Sequence, residues 1–71
     1  MPKITINNKA KLLPTTAFKF VGDMIAQHGI ESAVYPKYYE FNIGNLQYTI
    51  IAKRTQTSVI YTIEYTGYEV V

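Results

Sequence analysis

The most regular pattern in the chain lies between Tyr38 and Thr66, where apolar and polar residues alternate in three runs. Alternation sends successive side chains to opposite faces, so each run reads as a half-buried strand. Gly44-Asn45 separates the first two runs. Such a pair favours a two-residue hairpin turn of the primed type, with positive φ expected at both central positions. The turn pairs Ile43 with Leu46. Continuing away from it, Asn42 meets Gln47, Phe41 meets Tyr48, Glu40 meets Thr49, Tyr39 meets Ile50 and Tyr38 meets Ile51. Apolar meets apolar and polar meets polar nearly throughout. A slip of one residue would scramble both faces, which makes the agreement an argument for this register.

The second turn is read as Arg54-Thr55-Gln56-Thr57, between Lys53 and Ser58. It pairs Ala52 with Val59, Ile51 with Ile60, Tyr48 with Ile63 and Leu46 with Tyr65. One face then carries Tyr39, Phe41, Ile43, Leu46, Tyr48, Ile50, Ala52, Val59, Tyr61, Ile63 and Tyr65, and is the expected core side. The other face is polar, apart from Tyr38, Ile51 and Ile60. In this register those three form one row across the strands, flanked by Thr49 and Thr62.

Upstream, Lys3 to Ile6 alternates and reads as a strand. Asn7-Asn8-Lys9 reads as a turn, because Asn tolerates left-handed geometry. Ala10 to Leu13 is expected to return as a second strand, stopped by Pro14. Thr15 or Thr16 is then a candidate helix cap. Ala17, Phe20, Val21, Met24, Ile25 and His28 share one helical face of ~140°. Gly29 suits the position after the last turn, where positive φ is needed. Gly22 lies at the fringe of the apolar face, where close packing on the sheet would explain it. Residues 30–37 show no clear period, and Pro36 argues against a central strand there. Gly67 marks an expected bulge, with the tail extending the last strand. The expected architecture is α+β: a single domain over residues 1–71 in the order ββαβββ, with a mainly antiparallel sheet and one helix packed on one face.

The stretch KITINNKAKLLPTTAFKFVGDMIAQHGI, residues 3–30, resembles the opening hairpin and helix of β-grasp domains such as the ubiquitin-like sulfur carriers. That resemblance implies a hairpin leading into a helix laid across the sheet. The carriers end in Gly-Gly, whereas this chain ends Glu69-Val70-Val71, so carrier chemistry is not implied.

Composition narrows the chemistry. With 71 residues the chain forms one small domain near the lower limit of independent stability. It has no cysteine, which removes disulfides and thiolate metal sites. The net charge of +2 does not demand nucleic acid, but it is uneven: Lys3, Lys9, Lys11 and Lys19 precede the first acid, Asp23. No apolar run approaches the ~20 residues that cross a bilayer. The N-terminus lacks a secretory pattern, and the cytoplasm is the expected location. Six Lys against one Arg, with many Ile, Tyr and Asn, points to a low-GC bacterium or its phages.

His28 is the only histidine, and without cysteines it makes a poor metal site. Nothing in the spacing of Ser32, Ser58, His28 and Asp23 supports a triad. The carboxylates are Asp23, Glu31, Glu40, Glu64 and Glu69. Glu40 and Glu64 flank the middle strand roughly 9–10 Å apart, on a face that offers no pocket to shift a pKa. The glycines are isolated, so no phosphate loop is present. The chain is therefore expected to be a non-enzymatic binding protein that modulates or inhibits a larger protein, or self-associates. Tyr38, Thr49, Ile51, Ile60 and Thr62 are the candidate interface. The alternative is a nucleic-acid-binding module using Lys3, Lys9, Lys11, Lys53 and Arg54 with exposed tyrosines among Tyr35, Tyr38 and Tyr68. No cofactor, metal or membrane is expected.

Overall fold

The computed structural model describes residues 3–30 and 34–68, the latter without the side chain of Tyr68. The elements are β1 (Lys3–Asn8), α1 (Pro14–His28), β2 (Lys37–Ile43), β3 (Leu46–Arg54) and β4 (Ser58–Tyr68). They build one mixed sheet in the order β1-β4-β3-β2, with α1 across one face. The helix carries the chain from the β1 edge to the opposite edge. Two tight hairpins then return it strand by strand, so β4 arrives beside β1 and parallel to it.

This corrects the expected opening hairpin and the ββαβββ order. Ala10 to Leu13 forms no strand. The side chain of Asn8 accounts for it: its Nδ2 donates to the Leu12 carbonyl at 2.7 Å, and its Oδ1 accepts from the Leu12 amide at 2.9 Å. Two further backbone bonds, Lys9 N–H to Asn7 and Lys11 N–H to Asn8, tighten the loop, and Lys11 takes φ 56°. An Asn that satisfies the backbone of its own loop competes with strand pairing. Pro14 then occupies the first helical turn, where its missing N–H costs nothing. The flanking residue is Leu13, with no side-chain cap, so neither Thr15 nor Thr16 caps the helix.

The β2–β3 register agrees with the sequence reading at every expected pair, from Tyr38–Ile51 to Ile43–Leu46. Of the turn residues only Gly44 has positive φ (62°), the signature of the primed turn that needs glycine at its first central position. The β3–β4 register differs by two residues. Arg54 pairs with Val59, Lys53 with Ile60, Ile51 with Thr62 and Tyr48 with Tyr65. The connection is Thr55–Ser58, one residue later than expected. Thr55 closes it: its amide donates to the Ser58 carbonyl at 2.8 Å and its Oγ1 accepts from the Ser58 amide at 3.0 Å. Moving a turn by one residue shifts the pairing by two. Two is the period of the strand, so every side chain kept its face while its neighbours changed. A bulge resets the ladder between Gln47 and Tyr48, with Gly67 at φ 128° opposite Gln47 and Thr66 Oγ1 donating to the Gln47 carbonyl.

The core lies between helix and sheet. Ala17, Val21 and Met24 from α1 bury against Phe41, Tyr48, Ile50, Ala52, Val59, Tyr61 and Ile63. Phe20 adds a stacked contact on Phe41, with ring centroids 3.9 Å apart, and Phe41 stacks in turn on Tyr48 at 5.3 Å. Tyr65 was expected in the core but is 49 % exposed. β1 ends at Asn8, opposite Ile63, so on the β1 side no strand flanks β4 at Tyr65. Ile43, next to the hairpin turn, is exposed for a similar reason. Gly22 is also not explained by close packing: it is exposed, and a Cβ there would meet nothing within 4 Å.

Burial, with a smaller contribution from Tyr35, pushes the Tyr61 phenol above its usual value of 10.0. The folded state therefore holds that proton more tightly than the unfolded chain does. This contribution is complete below pH 10 and is lost as pH rises through 10 toward the folded value. Urea midpoints should hold from neutral pH to about 9.5 and fall beyond it, and Tyr61→Phe should flatten that alkaline fall.

Candidate functional site

The face turned away from α1 is built from alternate residues of all four strands. Three rows cross it. Glu40, Thr49 and Glu64 form the first; Tyr38, Ile51, Thr62 and Asn7 the second; Lys53, Ile60 and Thr5 the third. Ile60 is thus not opposite Ile51, as the sequence reading had it, but diagonal to it in the next row. Diagonal neighbours lie roughly 7–8 Å apart at Cα, within reach of isoleucine and tyrosine side chains. Tyr38, Ile51 and Ile60 remain on one face as a slanting patch. Tyr38 is 60 % exposed, while Ile51 and Ile60 are half-buried. Thr5, Thr49 and Thr62 surround them.

Glu40 and Glu64 share a row, one on each side of Thr49. Lys9 Nζ lies 3.6 Å from Glu64 Oε1, with both side chains largely in water. Such a pair contributes little to stability.

The basic candidates do not converge. Lys3 pairs with Ser58, Lys53 with Ile60 and Arg54 with Val59, which gathers three cations at one end of the sheet. Lys9 and Lys11 follow the other end of β1, about 20 Å away along a six-residue strand. Beside the first group, Tyr35 and Pro36 line a shallow pocket of about 250 Å³ with Lys53 and Arg54. Lys37 Nζ sits 5.1 Å from the Tyr35 ring centre and donates to the His28 carbonyl at 2.8 Å, completing the end of α1. The Tyr35 hydroxyl donates to the Ile30 carbonyl.

His28 is exposed at the helix end. Among the described residues no group of three or more metal-ligating side chains occurs, and no helix is long and apolar enough to cross a membrane. Glu31, Ser32 and Glu69 lie outside the described residues, as does the tail after Tyr68.

One feature escaped the sequence reading. Ile4 and Ile6 of β1, with Phe18, Val21, Gly22 and Ile25 of α1, line an open apolar groove of about 530 Å³. Phe18 is 65 % exposed at its rim. A signal was present: Phe18, Gly22 and Ile25 follow at i, i+4 and i+7, a second stripe beside the buried one.

No protein-family model matches the chain, and no characterised protein or solved structure matches it either.

Proposed function

We propose that the protein is a non-enzymatic binding domain that modulates a larger protein by contact through the sheet face turned away from its helix. The observation that carries this reading is Tyr38, largely exposed beside Ile51 and Ile60. An exposed tyrosine brings a large, rigid contact area with a polar tip, and such residues often dominate binding energy. The neighbouring threonines are short and uncharged, while Lys53 opposite Ile60 and Glu40 beside Tyr38 place charge at the rim of the patch. The patch is small enough for an ordinary monomer surface, and therefore a partner must also use the polar rim.

Replacing Ile51 and Ile60 together by threonine preserves β-branching and strand preference. The double variant should keep the parent's circular dichroism and lose about tenfold or more in affinity for any protein the parent captures. Unchanged affinity would refute the reading.

A nucleic-acid reading draws on Lys53 and Arg54, which line the Tyr35 pocket, with Lys3 at the same end of the sheet but on the opposite edge strand. Three phosphate contacts would give log affinity for single strands a slope of about −2 against log salt. Contact through the Tyr38 patch should change little with salt, so one titration separates the two.

A further inference from the structure

The sheet has a bare edge at β1, and the groove runs beside it. In a parallel ladder alternate residues bond the neighbouring strand. The Lys3 amide donates to the Thr57 carbonyl at 2.9 Å, so Lys3, Thr5 and Asn7 turn toward β4. Ile4 and Ile6 therefore turn their amides and carbonyls to the free side. β1 contains no proline and no bulge, and no described segment pairs with it on that side. Such an edge is a template for another strand. On the helix side of it, Ile4 is 41 % exposed and Phe18 65 %. Gly22, an interior helix residue that weakens the helix, leaves space there that no described residue fills.

We propose that two copies of this chain pair through β1, antiparallel and edge to edge, into one continuous eight-stranded sheet. The edge is self-complementary. With the two-fold axis at Thr5, Ile4 exchanges both backbone bonds with Ile6 of the second copy, and Ile6 does the same with its Ile4. These isoleucines enter each other's groove, into the space beside Gly22 and under Phe18. On the opposite face Thr5 meets its own counterpart, and Lys3 meets Asn7 rather than a second lysine. Like charges are thus kept apart at the join, although the first twenty residues hold four lysines and no acid. Adding a six-residue strand and covering Ile4 and Phe18 would bury on the order of 600 Å² per copy, approaching the ~800 Å² of a standard interface. The axis stands perpendicular to the sheet, so both helices lie on one side and both Tyr38 faces on the other. The dimer thus displays two copies of the proposed partner-binding face without covering either. A segment of another protein could use the same edge, but the matching of Ile4 with Ile6, of Thr5 with itself and of Lys3 with Asn7 favours the second copy.

The parent should sediment at twice its chain mass of 8.1 kDa and dissociate on dilution. The register can be tested directly, because the chain has no cysteine. Thr5 and its counterpart form a non-hydrogen-bonded pair, with Cα atoms about 4.5 Å apart, within the span of a disulfide. Thr5→Cys should therefore oxidise to a covalent dimer, and Ile60→Cys, one strand further from the axis, should not. Ile4→Pro removes only an outward amide, so it should leave the circular dichroism intact and yield a monomer. The Ile51→Thr, Ile60→Thr double variant should still dimerise, which keeps this proposal separate from the partner-binding reading. A parent that stays monomeric over a roughly hundredfold concentration range would overturn the proposal. Equal cross-linking of Ile60→Cys and Thr5→Cys would do the same, even if Ile4→Pro failed to fold.

Discussion

Phe41→Ala is expected to lower the unfolding free energy by about 3–5 kcal/mol. Phe41 is 7 % exposed and lies between two rings, Phe20 at 3.9 Å and Tyr48 at 5.3 Å. Truncation removes the ring's own transfer free energy and both stacking contacts. It also leaves a cavity that two flat neighbours cannot easily fill. A domain of this size has few kcal/mol to lose, so the variant should be largely unfolded at room temperature. Far-UV circular dichroism with urea titration checks this. A cooperative transition at the parent's midpoint would show that the aromatic stack does not hold helix to sheet.

The second large effect is a contrast between neighbours. Ile50→Ala should cost about 2–5 kcal/mol, and Ile51→Ala less than about 1 kcal/mol. The two differ by one position and by face. Ile50 is fully buried beneath the helix, paired with Tyr39 and Ile63. Ile51 is half-buried on the far face between Tyr38 and Thr62. The same methyl groups are removed from each, so the difference measures burial alone. Paired urea curves give the result, and equal midpoints would contradict the assignment of faces.

Val21 and Met24 of the expected helical face, and Phe41, Tyr48, Ile50 and Ile63 of the expected inner sheet face, are all buried. Face assignment was legible because strand and helix periods are local properties of the chain. The β2–β3 register was legible because a two-residue turn leaves no freedom about which residues face each other. The four-residue connection after Arg54 does leave that freedom. Two registers differing by two residues bury the same side chains, so hydrophobic pattern could not choose between them. The choice fell to hydrogen bonds between Thr55 and Ser58. As a result the candidate patch kept its members and its face but changed its shape, from a row to a diagonal.

What the chain by itself determined, then, is local. It set one helix ending at Gly29, three antiparallel strands with a known inner and outer face, the bulge at Gly67 and the chemistry left unavailable by the absence of cysteine. Tertiary structure decided which strand lies beside β1. The residues following Asn7 were a plausible hairpin, but Asn8 turned them toward the helix, and the return of β4 offered β1 a complete parallel partner. That pairing joins residues more than fifty positions apart, and no local period encodes it. It also created the free edge and the groove beside Gly22. Both arise where β1 and α1 meet, so they exist only once the sheet order is settled.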